Sequence, residues 1–139
     1  MILLDTNVIS ELWRPKRNMD VERWVDAQPT LTLFISSITL AELHFGVSRL
    51  PEGGRKNLLS NAIEKMVTDT FVQRILPFDA RCARAFGQMK AERERLGRPI
   101  VFADAAIAAT ALTYGLTLAT RNLRDFDGLG LALIDPFAA

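Results

Sequence analysis

Histidine and cysteine are almost missing from this chain: its 139 residues contain one of each, His44 and Cys82. A single thiol excludes an internal disulfide, and the two counts together exclude an intrachain zinc site of the Cys/His type, which needs three or four such ligands. No glycine-rich loop that would cradle a phosphate is present, which argues against a nucleotide-binding switch. No apolar run approaches the ~20 residues of a membrane-spanning helix, and Met1-Ile2-Leu3-Leu4-Asp5 meets an acid too soon for a secretory signal. The expectation is a cytoplasmic protein with no membrane contact. Charge of one sign is also lacking. The formal net charge is +1, so global charge announces no nucleic-acid partner. The two singletons read as ordinary residues: Cys82 as a small hydrophobe in an apolar helical stripe, His44 as a helix residue without a Ser or second His at useful spacing.

What the chain does have is apolar bulk. Hydrophobic residues make up 49% and charged residues 24%, the balance of a globular domain, and the length suits a single domain over residues 1–139. Short apolar runs alternate with amphipathic stretches. Ile2 to Leu4, Leu33 to Ile35, Ile75-Leu76, Leu116 to Ala119 and Leu131 to Ile134 read as five buried strands. Helical stripes run through Leu40, Leu43, Val47 and Leu50, and through Leu58, Leu59, Ala62, Ile63, Met66 and Val67, with Pro51-Glu52-Gly53-Gly54 between them. Asp79 is placed to cap a helix that Gly97 and Pro99 end, and Gly115 stops another that starts at Phe102. Strands alternating with helices predict an α/β fold, a three-layer α/β/α sandwich around a mostly parallel five-stranded sheet.

The acids fall in a pattern on that fold. Asp5 ends the first strand, Glu42 comes in the first turns of the helix after the second, and Asp104 opens the helix after Pro99. The fourth strand runs into Thr120-Arg121-Asn122-Leu123-Arg124-Asp125-Phe126. All four clusters belong at the carboxyl edge of the sheet, where such folds bind ligands. Carboxylates gathered there resist ionisation unless a cation sits among them, and oxygen ligands without His or Cys suit magnesium or manganese. Each acid also has a structural reading. Thr39-Leu40-Ala41-Glu42 matches a capping box, Asp5 precedes a helix, and Asp104 suits the positive end of one. The span Arg81 to Arg98 carries six bases against two acids, which fits a solvated helix face or a nucleic-acid contact.

Four blocks carry a resemblance. Leu3-Leu4-Asp5-Thr6-Asn7, Ser37-Ile38-Thr39-Leu40-Ala41-Glu42-Leu43, Asp104-Ala105-Ala106-Ile107-Ala108-Ala109-Thr110-Ala111 and Leu118-Ala119-Thr120-Arg121-Asn122-Leu123-Arg124-Asp125-Phe126 resemble, in order and spacing, the signature blocks of PIN domains. Within that family the chain is similar to the VapC and FitB toxins of bacterial toxin–antitoxin pairs. The resemblance implies a magnesium- or manganese-dependent endoribonuclease that is dimeric, is held inactive by an antitoxin and meets operator DNA only through that antitoxin. It places the metal-site acids at Asp5, Glu42 and Asp104. The family's fourth acidic position falls on Asn122, a neutral residue, with Asp125 three residues on as a possible source of the missing charge. Thr6, Asn7 and Thr120 are candidates to hydrogen-bond metal waters or the scissile phosphate. Arg93, Arg95, Arg98, Arg121 and Arg124 are candidates for the RNA backbone. Two rivals stand beside this reading. A magnesium-dependent small-molecule phosphohydrolase of the haloacid-dehalogenase kind would want an acid where Asn7 stands, and a non-catalytic PIN-like module would bind RNA or protein without cutting.

Overall fold

The computed structural model describes residues 1–138. The five expected strands are present as β1 (Ile2–Leu4), β2 (Leu33–Ser36), β3 (Ile75–Leu76), β4 (Thr117–Ala119) and β5 (Leu133–Ile134). They form one sheet in the order β3-β2-β1-β4-β5, and every neighbouring pair is parallel. Parallel neighbours need long crossovers. The helices supply them: α1 (Thr6–Leu12), α2 (Met19–Asp26), α3 (Ser37–Ser48), α4 (Gly54–Lys65), α5 (Ala80–Arg95), α6 (Phe102–Tyr114) and the short α7 (Leu123–Phe126). From β1 the chain steps outward to β2 and β3, then returns to the other side of β1 for β4 and β5. The winding direction therefore reverses between β1 and β4, which is where a crevice opens beyond the strand ends.

Strand residues alternate between two apolar cores, as a period of two requires. Leu4, Leu33, Ile35 and Ala119 pack with Val8, Ile9, Val21, Leu43, Val47, Ile63 and Phe71 on one face. Leu3 and Leu118 pack with Met89, Ile107, Ala108, Ala111 and Phe126 on the other. Each fully buried Leu or Ile stabilises by about 1.5–3 kcal/mol. Helix α6 buries an unbroken run from Ala105 to Ala111, because its small side chains let it lie close on the sheet.

Helix ends follow local chemistry. The Ser36 hydroxyl accepts the Thr39 amide at 3.0 Å and caps α3; Gly115, at φ 70°, ends α6 in the left-handed conformation that glycine tolerates. The capping-box reading of Thr39 and Glu42 is thereby corrected: α3 starts at Ser37, and Glu42 lies in its second turn with no capping role. Helix α2 was not expected, although Val21, Trp24 and Val25 form an i, i+3, i+4 stripe that packs on the core, and Asn18 caps it by accepting the amides of Asp20 and Val21. The last turn of the Leu58–Val67 stripe is a π-helical turn, Met66–Thr70, rather than a continuation of α4. Cys82 is buried, His44 is exposed, and no helix of the described residues is long and apolar enough to cross a membrane.

Asp79 caps α5 as expected. One carboxylate oxygen accepts the Cys82 amide at 3.0 Å and the other accepts the Tyr114 hydroxyl at 2.7 Å, tying α5 to the end of α6. The Tyr114 hydroxyl, aided by the Cys82 amide, holds this carboxyl down at about 2. A depressed folded pKa adds stability that is complete above the unfolded value, near 4, and is lost as pH falls toward 2. Asp79→Asn should therefore melt below wild type at neutral pH, with the gap closing between pH 4 and pH 2. A gap that stays constant in melts taken across this range would disprove the linkage.

Candidate active site

The site is built where β1 and β4 end side by side. The Asp5 amide donates to the Ala119 carbonyl at 2.9 Å, extending the ladder by one rung. That rung delivers the Asp5 side chain into the crevice at the amino end of α1. Its carboxylate is only 4% exposed and accepts three donors: the Thr6 amide at 2.8 Å, the Thr120 hydroxyl at 2.7 Å and the Asn7 amide group at 3.2 Å. Burial pushes its pKa up by more than these bonds pull it down, and the charge of Glu42 adds to the rise. The Thr120 oxygen also accepts the Asn122 amide at 3.1 Å, and the Asn7 carbonyl oxygen accepts the Arg121 amide at 3.2 Å. Thr6, Asn7 and Thr120 thus position Asp5 and lace the loop after β4 to α1.

Glu42 reaches the same crevice from α3. It is exposed, and one of its oxygens accepts the Thr6 hydroxyl at 2.6 Å. Behind this bond the Thr39 hydroxyl lies 3.1 Å from that of Thr6 and accepts from the buried Ser36 hydroxyl at 3.3 Å. Thr39 is a contributor that the sequence reading passed over. Its signal was there: it stands three residues before Glu42, on the same helical face.

Asp104 projects from the first turn of α6. Among the described residues it makes no hydrogen bond and no ion pair. Burial, followed by the charges of Asp5, Asp125 and Glu42, pushes its pKa up to about 6. None of these four carboxylates is paired with an arginine, lysine or histidine of the described residues. Unpaired acids near one another, all hard oxygen donors, have the chemistry that magnesium or manganese prefers. They are not drawn into a closed cage, since no group of three acidic, His or Cys side chains among the described residues is close enough to enclose an ion. An open arrangement fits magnesium, which keeps several waters and uses one or two carboxylates together with phosphate oxygens. A cavity of about 440 Å³, lined mainly by apolar residues such as Ile9, Trp13, Val25, Met66 and Phe71, lies away from these acids.

The other expected site residues divide. Asn122 is exposed at the mouth, tied to Thr120 through its backbone. Asp125 lies on α7 and faces Asp104 across a cleft of about 120 Å³. Arg93 is not an RNA contact: it is 5% exposed, and its guanidinium is spent on backbone carbonyls. It shares an inward stripe with Cys82 and Met89, and that spacing was the missed signal. Arg98 donates to the Arg124 carbonyl at 3.3 Å, Arg95 pairs with Glu92, and Arg121 stacks over Phe137. Arg95, Arg98, Arg121 and Arg124 all remain exposed. Phe45 and Phe102 are 65% and 60% exposed.

The pattern of the PIN domain matches residues 2–130, so the chain belongs to the PIN-domain family. Within the family it is similar to the VapC ribonuclease Y4jK of Sinorhizobium fredii, 42% identical over 99% of this chain and 98% of the relative. It is equally similar to the toxin FitB of Neisseria gonorrhoeae, 42% identical over 99% of both chains. A solved structure of FitAB bound to an IR36 DNA fragment superposes with a TM-score of 0.93, at 40% identity, over 99% of this chain and 96% of that one.

The strained acids have a measurable cost. Folding raises the Asp104 pKa, so the stability it lends is complete below about 4 and is lost as pH rises through about 6. Above that, its charge opposes the fold by roughly 1 kcal/mol once its half-exposed position is discounted. In EDTA, Asp104→Asn should melt above wild type at pH 7.5, and the two should converge toward pH 4.5. A variant that melts lower at pH 7.5 would contradict the repulsion.

Proposed function

We propose that the protein is the toxin of a toxin–antitoxin pair and acts as a magnesium- or manganese-dependent endoribonuclease. The observation that carries this reading is the convergence of Asp5, Glu42 and Asp104, without a cationic partner, on the crevice between β1 and β4. The relatives named ribonuclease and toxin support it.

Asp5, Glu42 and Asp104 would hold the cation. When bound, it supplies an acidified water and neutralises charge on the phosphoryl oxygens. The chain's own residues do the rest. Thr6, Asn7 and Thr120 fix the Asp5 carboxylate, so its orientation is paid for before RNA arrives. Glu42 and Asp104 are the two acids able to take a proton from the attacking water. Glu42 is already engaged by the Thr6 hydroxyl, whereas the Asp104 side chain accepts no hydrogen bond among the described residues and is the freer of the two to take it. Asn122 can orient a water or a phosphate oxygen but adds no charge. Arg95, Arg121 and Arg124 are the exposed bases placed to meet the RNA backbone, with Arg98 partly committed to the α7 turn. The partners are an RNA substrate, a cognate antitoxin and a second copy of the chain, with operator DNA reached through the antitoxin, all in the cytoplasm. The FitAB structure on DNA supports that arrangement.

Asp5→Asn, Glu42→Gln and Asp104→Asn should each cut RNA cleavage by two orders of magnitude or more while leaving the fold intact. EDTA should do the same to wild type. Incubation of purified protein with total RNA in magnesium, manganese or EDTA, followed by mapping of the cut ends, tests this directly. Cleavage by the triple variant at the wild-type rate would end the reading.

RNA affinity should also fall steeply with salt. Charge reversal at Arg95, Arg121 or Arg124 should flatten the slope by about one charge each. Slopes identical to wild type would leave these arginines as solvated surface.

A further inference from the structure

Arg93 is a buried charge with no acidic partner among the described residues. Its guanidinium is compensated by three carbonyls instead. Nε donates to Arg98 O at 2.8 Å, and Nη1 donates to Asp125 O at 3.0 Å and to Asp127 O at 3.4 Å. A buried charge gives weak stability, and an apolar side chain of similar volume would fill the same space at less cost. What the planar fork achieves is a bridge. One side of it holds the connection from α5 to α6, which leads into Asp104; the other holds the turn that carries Asp125. Arg98 adds a parallel tie from the surface, to the Arg124 carbonyl at 3.3 Å.

The turn needs holding. Helix α7 has four residues, too few to be stable alone. Its remaining anchors are the buried Phe126 ring and the Asn122 amide on Thr120. Asp125, between those anchors, lines the cleft of about 120 Å³ together with Asp104, Arg93 and Val101.

We propose that Arg93 is a positioning residue of the acidic site: it fixes the α7 turn so that Asp125 stands opposite Asp104 and supplies the charge that Asn122 lacks. This rests on the nuclease reading for its purpose, but its physical content can be tested apart from it. A lysine at this position keeps the charge, yet its single ammonium cannot span both loops.

The experiment is a double-mutant cycle on the full chain with Arg93→Lys, Asp125→Asn and the pair, read by calorimetric titration of manganese without RNA. Arg93→Lys should weaken manganese binding about tenfold, the scale on which groups that orient ligands act. In the Asp125→Asn background the same change should have less than about a twofold effect, because its target has gone. Equal losses in both backgrounds would reduce Arg93 to a structural role and overturn the proposal. No loss in either would do the same. Should Arg93→Lys not fold, Arg98→Gln loosens the same turn from an exposed position, and its smaller loss must show the same dependence on Asp125. If wild type binds manganese but cuts no RNA, the nuclease reading fails and the Arg93–Asp125 coupling is still measured. If wild type binds and cuts while the cycle is additive, only the coupling fails. No manganese binding by wild type sinks both.

Discussion

A carboxylate buried as deeply as Asp5 stays ionised only if donors surround it, and the site is arranged to provide them. Its three donors come from α1 and from the loop after β4, so ionising Asp5 also draws together two segments more than a hundred residues apart. The rung between Asp5 and Ala119 sets the register of that meeting. A one-residue slip of β1 against β4 would turn Leu3 and Leu118 out of their core and point Asp5 away from the crevice. Packing on both faces of the sheet therefore protects the register, and the register places the acid. Stability and site geometry share a single cause here.

The same arrangement explains why the acids cost the fold something. Asp104 sits at the positive end of α6, which favours its charge, yet burial and three acidic neighbours outweigh that end effect and raise its pKa. Nothing local relieves it. The cost is tolerable because two separate apolar cores flank β1 and β4, including Leu3, Leu4, Leu118 and Ala119 with almost no exposure. A pair of cores that large absorbs about 1 kcal/mol of repulsion without threatening the native state.

Legibility in the sequence followed burial. The five strands could be read because strands covered on both faces are short apolar runs, and α5 and α6 because Asp79 and Gly115 punctuate them. Asp5, Glu42 and Asp104 could be placed at one edge because each follows a strand or opens a helix, and the resemblance to the family implies a metal-site role for them. Failures came where charge and exposure part company. Arg93 carries a charge and was read as surface, whereas its stripe with Met89 and Cys82 is the inward face of α5. Phe45 and Phe102 are aromatic, yet both face outward. Helix α2 carries an apolar stripe of Val21, Trp24 and Val25 that was overlooked, and the capping-box alternative for Thr39 and Glu42 fails because Ser36, three residues before Thr39, already caps α3.

These failures share a physical source: residue type predicts environment on average, whereas a site is made of residues held away from that average. Asp5 and Arg93 are both charged and both nearly inaccessible, and each is satisfied by groups the sequence does not place next to it. Asp5 is held by Thr120, 115 residues on; Arg93 is held by carbonyls as far as 34 residues away. The two stand on opposite sides of the same cleft's chemistry, one fixing a carboxylate directly and the other fixing the backbone beneath a carboxylate. Backbone carbonyls carry no residue identity, so an arginine bound to them leaves no partner to find in the sequence. That asymmetry is why the acids of this site show in residue types and spacing, while the arginine behind them shows only in the fold.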